Sequence, residues 1–200
     1  MKLRTFHWLS FAGTTLLVAF ACTSRQAAPQ SESPVRLVAT IKDLMDSEVD
    51  PSADLLWDSV ATIVTKQGTE EKRPRTDEDW TKVRRSAVTL VEATNLLVLD
   101  GRKVARPGQK ADNPDVELGP EEIEAVINQD RQAFVKFAHG LQDASLEALK
   151  AIDAKNAEGL LDAGEKIDEA CEQCHLKYWY PLSKQAETAA KSQKAQKSQP

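Results

Sequence analysis

Residues 156–181 read N-A-E-G-L-L-D-A-G-E-K-I-D-E-A-C-E-Q-C-H-L-K-Y-W-Y-P, and their periodicity decides the fold. Leu160, Leu161, Ile167, Cys171 and Cys174 recur along one face at the period of an α-helix. Asn156 can cap the first turn and Pro181 stops the helix just after Tyr180. Three further stretches show the same pattern. Leu37, Ile41, Leu44 and Met45 mark a first helix from about Val35 to Glu48. Asp50-Pro51 interrupts it and, as N-cap and first helical residue, restarts it as far as about Lys66, with Leu56, Trp57, Val60 and Val64 as its apolar stripe. Gly68 to Arg75 is expected to be a charged loop. Thr76-Asp77-Glu78-Asp79 opens a second helix that carries Trp80, Val83, Ala87, Leu90, Val91, Thr94 and Leu97 and ends at Asp100-Gly101. Gly119-Pro120-Glu121-Glu122 opens a third, from Ile123 through Phe134, Phe137, Leu141 and Ile152 to about Ala154.

Composition agrees with this pattern. In 200 residues there are only 8 glycines and 9 prolines, which suits helices better than a turn-rich sheet protein. Four amphipathic stripes with polar outer faces and no fixed-period repeat imply an all-α fold, an antiparallel four-helix bundle with one core over residues 35–182. The segment from Arg102 to Gly119 has no sustained periodicity and reads as a long loop, a place where function concentrates. Residues 183–200 supply no core-forming pattern and are expected to be a disordered tail.

The first 21 residues stand apart. Lys2 and Arg4 precede the apolar run Trp8 to Ala21, too short to span a bilayer comfortably, so residues 1–21 read as a signal peptide. Residues 22–34 are polar and aperiodic and read as a tether. Ala19-Phe20-Ala21 fits ordinary cleavage, and the residue that follows is Cys22, where a bacterial lipoprotein is acylated. Both readings stand. Phe20 and the missing leucine of a lipobox speak against the lipid; a third cysteine left as a free thiol in an oxidising compartment speaks for it. Removing residues 1–21 takes away two of the 26 basic residues and no acid, leaving 24 against 31 and a net charge of −7. That balance argues against a nucleic-acid partner.

Cys171-Glu172-Gln173-Cys174-His175 has the spacing by which c-type haem is attached. On a helix the two cysteines and the histidine fall at i, i+3 and i+4 and share a face. Both thiols can then reach the vinyl groups along one porphyrin edge while the imidazole reaches the iron from the same side; Glu172 and Gln173 are expected to point elsewhere. A zinc site lacks ligands, since the remaining histidines are His7, in the leader, and His139, and the remaining cysteine is Cys22. A thioredoxin-like Cys-x-x-Cys belongs at a strand-to-helix turn, not deep in the last helix of a helical chain. One covalent haem c near the end of the last helix is the cofactor these residues imply.

The C-E-Q-C-H-L-K-Y-W-Y-P run at 171–181 resembles the class II cytochromes c, the family of cytochrome c′ and its low-spin relatives. Leu44-Met45-Asp46 with Val49 through Trp57, and Trp80 through Leu97, resemble periplasmic members described simply as cytochrome c family proteins. The resemblance spans about Val35 to Pro181. It implies a four-helix bundle, a frequent pairing of two chains as a homodimer, and, in the low-spin His/Met subgroup, a second axial ligand on the first helix. Met45 matches that position and is the only methionine beyond Met1; its alternative role is core filling. His139, between Ala138 and Gly140, lies off the apolar stripe and is expected to face solvent.

The expected function is electron transfer by a single haem on the periplasmic side of the cell envelope, with iron held by His175 and Met45, an unidentified redox protein as partner, and a lipid anchor at Cys22 in the bacterial outer membrane as the membrane-bound variant. No acid, base or nucleophile constellation suggests an enzyme. The alternative is a five-coordinate haem that binds nitric oxide or carbon monoxide; a third reading makes haem a structural staple. Arg84, Arg85 and Arg102 are candidate partners for haem propionates against a plain solvated face. Trp57, Trp80, Phe134, Phe137, Tyr178 and Trp179 are assigned to packing, and Glu92 with Asn95 to a polar pair one turn apart.

Overall fold

The computed structural model describes residues 35–197, with side chains to residue 190. The signal peptide and the whole tether, Cys22 included, lie outside the described residues. The first helix starts later than its apolar pattern suggests, because Thr40 caps it. The Thr40 hydroxyl accepts from the Asp43 backbone N–H at 3.1 Å and the Asp43 carboxylate accepts from the Thr40 N–H at 3.0 Å. α1 spans Ile41–Leu44, a π-helical segment follows over Met45–Val49, and α2 runs Asp50–Ser59. The Asp50 N–H donates to the carbonyl of Met45, five residues back. Pro51 explains the widened turn: it has no N–H to give, and its ring clashes with the carbonyl four residues earlier.

The first helix does not continue to Lys66. Ala61–Thr65 (β1) and Gly68–Lys72 (β2) form an antiparallel hairpin with Thr65 opposite Gly68. The run A-T-I-V-T is rich in β-branched residues. Gly68 sits at φ +137°, a conformation that an L side chain rarely adopts. Val64, read as part of a buried stripe, is therefore exposed.

α3 runs Asp77–Leu97 behind the reciprocal cap of Thr76 and Asp79. The third expected helix is two: α4, Pro120–Gln129, and α5, Arg131–Asp153. Between them Asp130 leaves helical geometry at φ −142°, ψ 75°, and its side chain accepts from the Ala133 N–H, so it caps α5. α6 spans Ala157–Tyr178 with Asn156 accepting from the Gly159 N–H. The expected disordered tail is also helical, as α7 over Leu182–Lys197. It lacks glycine and is mostly alanine, lysine and glutamine, which favour helix even without a core face.

The composite first helix, α3, α5 and α6 make the four-helix bundle. Leu56, Leu90, Leu160 and Ile167 are its most deeply buried large side chains. Two polar residues in the core are satisfied within their own helices: the hydroxyls of Thr94 and Ser145 donate to the carbonyls of Val91 and Leu141, each at 2.7 Å. Trp57 Nε1 donates to the carbonyl of Gly164 at 3.0 Å, joining α2 to α6. A Cβ at Gly164 would stand 3.2 Å from Trp57 Cδ1, so glycine permits this close approach. The long loop between α3 and α4 returns across the first helix. The N–H groups of Ile41 and Lys42 donate to the carbonyls of Lys103 and Val104 at 2.8 and 2.9 Å, and Val104 is buried. No helix among the described residues is long and apolar enough to cross a membrane.

Candidate functional site

Five parts of the chain line a cavity of about 130 Å³ at one end of the bundle. The first helix contributes Ile41 and Met45, the long loop Val104 and Leu118, α4 Ile123 and Ile127, α5 Phe134, and the end of α6 Cys174, His175, Tyr178 and Trp179. Charge is confined to a few groups, Lys42, Asp46, Asp50, Lys110, Asp112 and Glu117. Met45 enters as the first residue of the π-helical segment, so the widened turn forced by Pro51 lies directly beside the cavity.

Met45, Cys174 and His175 thus converge on one cavity from helices at opposite ends of the sequence. Cys171 does not line it; the residue is half-buried one turn earlier on α6 and packs against the core. Burial first, and then the charges of Cys174, Asp50 and Asp168, push its thiol up to about 12, and burial pushes Cys174 up to about 11. Both sulfurs are therefore neutral thiols at neutral pH. Burial also lowers the His175 pKa, with the Glu172 charge opposing, which favours a neutral imidazole with a lone pair to donate. His139 is exposed on α5 and does not line the cavity.

The arginines proposed for propionates are engaged elsewhere. Arg84 Nε donates to Asp153 at 2.7 Å, Arg102 donates to the carbonyls of Leu96 and Ala39, and Arg85 is exposed on α3 away from the cavity lining. Lys42 and Lys110 are the basic groups of the cavity lining. Glu92 does accept from Asn95, at 3.1 Å, but both are exposed.

Two tyrosines shape the site: Tyr178, assigned to packing from the sequence, and Tyr180, which sequence reasoning missed. Tyr178 is buried, and its ring meets Phe134 and Phe137 edge-on at 5.5 and 5.7 Å. Its hydroxyl is buried without a hydrogen-bond partner among the described residues, an arrangement that native interiors rarely leave unfilled. Tyr180 lies against His175, its hydroxyl 3.3 Å from Nδ1 and 2.6 Å from Glu172 Oε2. Glu172, expected to point elsewhere, therefore reaches the surroundings of the histidine through Tyr180. A buried tyrosine one turn after His175 carried a helical-period signal; the Glu172–Tyr180 pair carried none, because it depends on how the chain turns after α6.

The donor set suits a covalently attached haem: a neutral imidazole, a thioether, two neutral thiols, an apolar lining and a buried hydroxyl that still needs a partner. Among the described residues no three His, Cys, Asp or Glu side chains are grouped to hold a metal ion by themselves. No protein-family model matches the chain, and comparison with curated proteins gives no match. Among solved structures the chain is similar to a nitric oxide complex of a mutant cytochrome c prime from Alcaligenes xylosoxidans, with 17% identity and a TM-score of 0.40 over 70% of this chain and 96% of that one.

Proposed function

We propose that this chain is an exported c-type cytochrome that transfers electrons through one haem, bound by thioether links to Cys171 and Cys174 and ligated by His175 and Met45. The observation that carries this reading is the convergence of Met45 with Cys174 and His175 on a single apolar cavity. Nothing in the attachment motif alone requires a thioether to meet the imidazole there. Bound haem supplies a one-electron couple whose potential follows from its axial ligands and burial. The protein's part is to hold imidazole and thioether in place, to exclude water with Ile41, Val104, Ile127 and Phe134, and to offer Lys110 to a carboxylate at the cavity edge, since Lys42 is paired with Asp46 and Asp112. Export follows from the reading of residues 1–21. Cys22 then either anchors the mature chain to the outer membrane through lipid or stands as the first residue of a soluble periplasmic product, and the electrons pass to a redox protein rather than to a chemical substrate. Association of two chains belongs to the same proposal.

Haem should remain with the polypeptide after denaturation and acid–acetone extraction, and the purified ferric protein should be low-spin with the weak charge-transfer band of sulfur-ligated iron. Met45→Ala should keep the covalent attachment, become high-spin or water-ligated, bind carbon monoxide readily when reduced, and fall in reduction potential, because thioether sulfur favours the ferrous state. A wild-type protein that is already high-spin, with a spectrum indifferent to Met45→Ala, makes the gas-binding alternative the better account. A chain whose mass is that of the bare mature polypeptide, made alongside a working attachment system, overturns the haem reading itself.

A further inference from the structure

After α6 the chain folds back on itself. The N–H groups of Trp179 and Tyr180 both donate to the carbonyl of His175, at 2.8 and 3.0 Å. This turn brings two rings onto the imidazole. Trp179 meets it edge-on at 5.0 Å, and Tyr180 lies tilted at 5.6 Å. The turn is tied at both sides: the Leu118 N–H donates to the carbonyl of Trp179 at 2.8 Å, and Gln185 of α7 donates its Nε2 hydrogen to the carbonyl of Tyr180 at 2.9 Å. The helical tail thus helps to hold Tyr180 where it is.

The phenol of Tyr180 has one proton, and its short contact is to Glu172 Oε2 at 2.6 Å, a carboxylate that can only accept when ionised. The phenolic oxygen is left with lone pairs, and His175 Nδ1 stands 3.3 Å away. Only Nδ1 carrying hydrogen can complete that contact.

We propose that Glu172 and Tyr180 form a positioning relay that fixes His175 in the Nδ1–H tautomer, leaves Nε2 as the ligating nitrogen, and increases the electron density the imidazole gives to iron. The inference rests on His175 being the iron ligand. A carboxylate acting through a hydrogen bond on the far nitrogen of a ligating histidine raises its basicity, so the relay favours the ferric state. Tyr180 and Glu172 are positioning residues; neither lines the cavity.

The test is a pair of single variants and their combination, read by equilibrium redox titration of the haem-loaded protein. Tyr180→Phe keeps the ring and removes the hydroxyl; the ferric-to-ferrous ratio at a fixed applied potential should fall about tenfold, a rise of ~59 mV for a one-electron couple. Glu172→Gln should raise the potential by a smaller amount. Added to Tyr180→Phe, it should shift the potential by less than half of what it does alone, because its route to the imidazole has gone. Equal shifts in both backgrounds, or no shift on Tyr180→Phe, overturn the relay. A second readout does not need iron: imidazole ¹⁵N chemical shifts of His175 in the purified full-length chain should report the Nδ1–H form in the wild type and loss of that preference in Tyr180→Phe. If the purified chain carries no haem, the functional reading fails, and the ¹⁵N result still decides the relay, an unchanged tautomer overturning it.

Discussion

The two ends of the bundle are built differently. At the end where α5 turns into α6, apolar side chains fill the interior: Leu160 and Ala148 are 0% exposed and Ile152 2%. The connection is three residues, Ala154–Asn156, between Asp153 and Ala157. Surface pairs such as Lys155 with Asp77 at 2.6 Å and Arg84 with Asp153 at 2.7 Å span it from α3. At the other end the interior is a cavity, lined by a thioether, a thiol and an imidazole and bearing a buried hydroxyl without a partner among the described residues. The chain fills its own core at one end and lines a cavity at the other, where the proposed haem would sit. Burial alone therefore stabilises the closed end. The open end should owe part of its stability to what fills it.

Truncating a buried side chain at each end tests this contrast most strongly. Leu160→Ala should cost about 2–5 kcal/mol in urea unfolding, and the cost should be the same in the haem-loaded chain and in the Cys171→Ala/Cys174→Ala background, because the lost contacts are all within the protein. Ile127 is 4% exposed and lines the cavity. Ile127→Ala should cost more in the loaded chain than in the cysteine-free background, since some of its partners come with the bound group. Equal costs for Ile127→Ala in the two backgrounds would mean that both ends are finished by the chain.

A second contrast is titrated rather than mutated. Cys171 and Cys174 have pKa values of about 12 and about 11, above the ordinary thiol value, because burial disfavours their charged forms. A raised folded-state pKa means that the folded chain keeps protons the unfolded chain has released. The stability from neutral, buried thiols is then complete below about pH 9 and is lost as pH rises through the folded-state values. Chain without haem should become easier to unfold between about pH 9 and about pH 12. Chain with both sulfurs in thioether links has no buried thiol at Cys171 or Cys174 to titrate. It should lose only the smaller alkaline contribution of Tyr178 and Tyr180, both raised to about 12, over the upper part of that window. Identical alkaline unfolding curves with and without haem would show that the sulfurs are not the attachment points.

The sequence was legible where a cap and a period coincide. Thr76, Gly119-Pro120 and Asn156 start helices where the pattern put them, because each satisfies first-turn N–H groups locally or, as proline, needs none. It was misleading where a helical period ran through a different local preference. Val60 and Val64 are four apart, yet the β-branched run at 61–65 forms a strand once Gly68 allows the turn. Ile127 and Phe134 share a stripe, yet Asp130 caps between them. The cysteines and His175 announced themselves by spacing, and Met45 by resemblance. The cavity wall from the α3–α4 loop and the Glu172–Tyr180 contact could not be read, because both are set by where the backbone returns in space.

The closed end offers the smallest effect and the sharpest local test. Lys155 has φ 52°, the left-handed conformation that usually falls to glycine after a helix, and the chain closes the turn through Lys155 N–H to the Ile152 carbonyl and Asn156 N–H to the Ala151 carbonyl, each at 2.9 Å. A side chain there strains the backbone by about 1 kcal/mol. The Lys155 ammonium recovers some of that through Asp77, but both groups are largely exposed and such a surface pair contributes little. Two substitutions separate backbone from charge. Lys155→Ala removes the ion pair and keeps the strain, so it should be slightly less stable than the wild type. Lys155→Gly removes both and should exceed the alanine variant by a few tenths to about 1 kcal/mol, the relief of strain being partly offset by the greater freedom of glycine in the unfolded chain. Thermal unfolding at low and high salt distinguishes the two contributions: the difference between the wild type and Lys155→Ala should shrink with salt, and the difference between alanine and glycine should not. If alanine and glycine are equally stable, the turn does not depend on a left-handed residue, and the closed end is held by its packing alone.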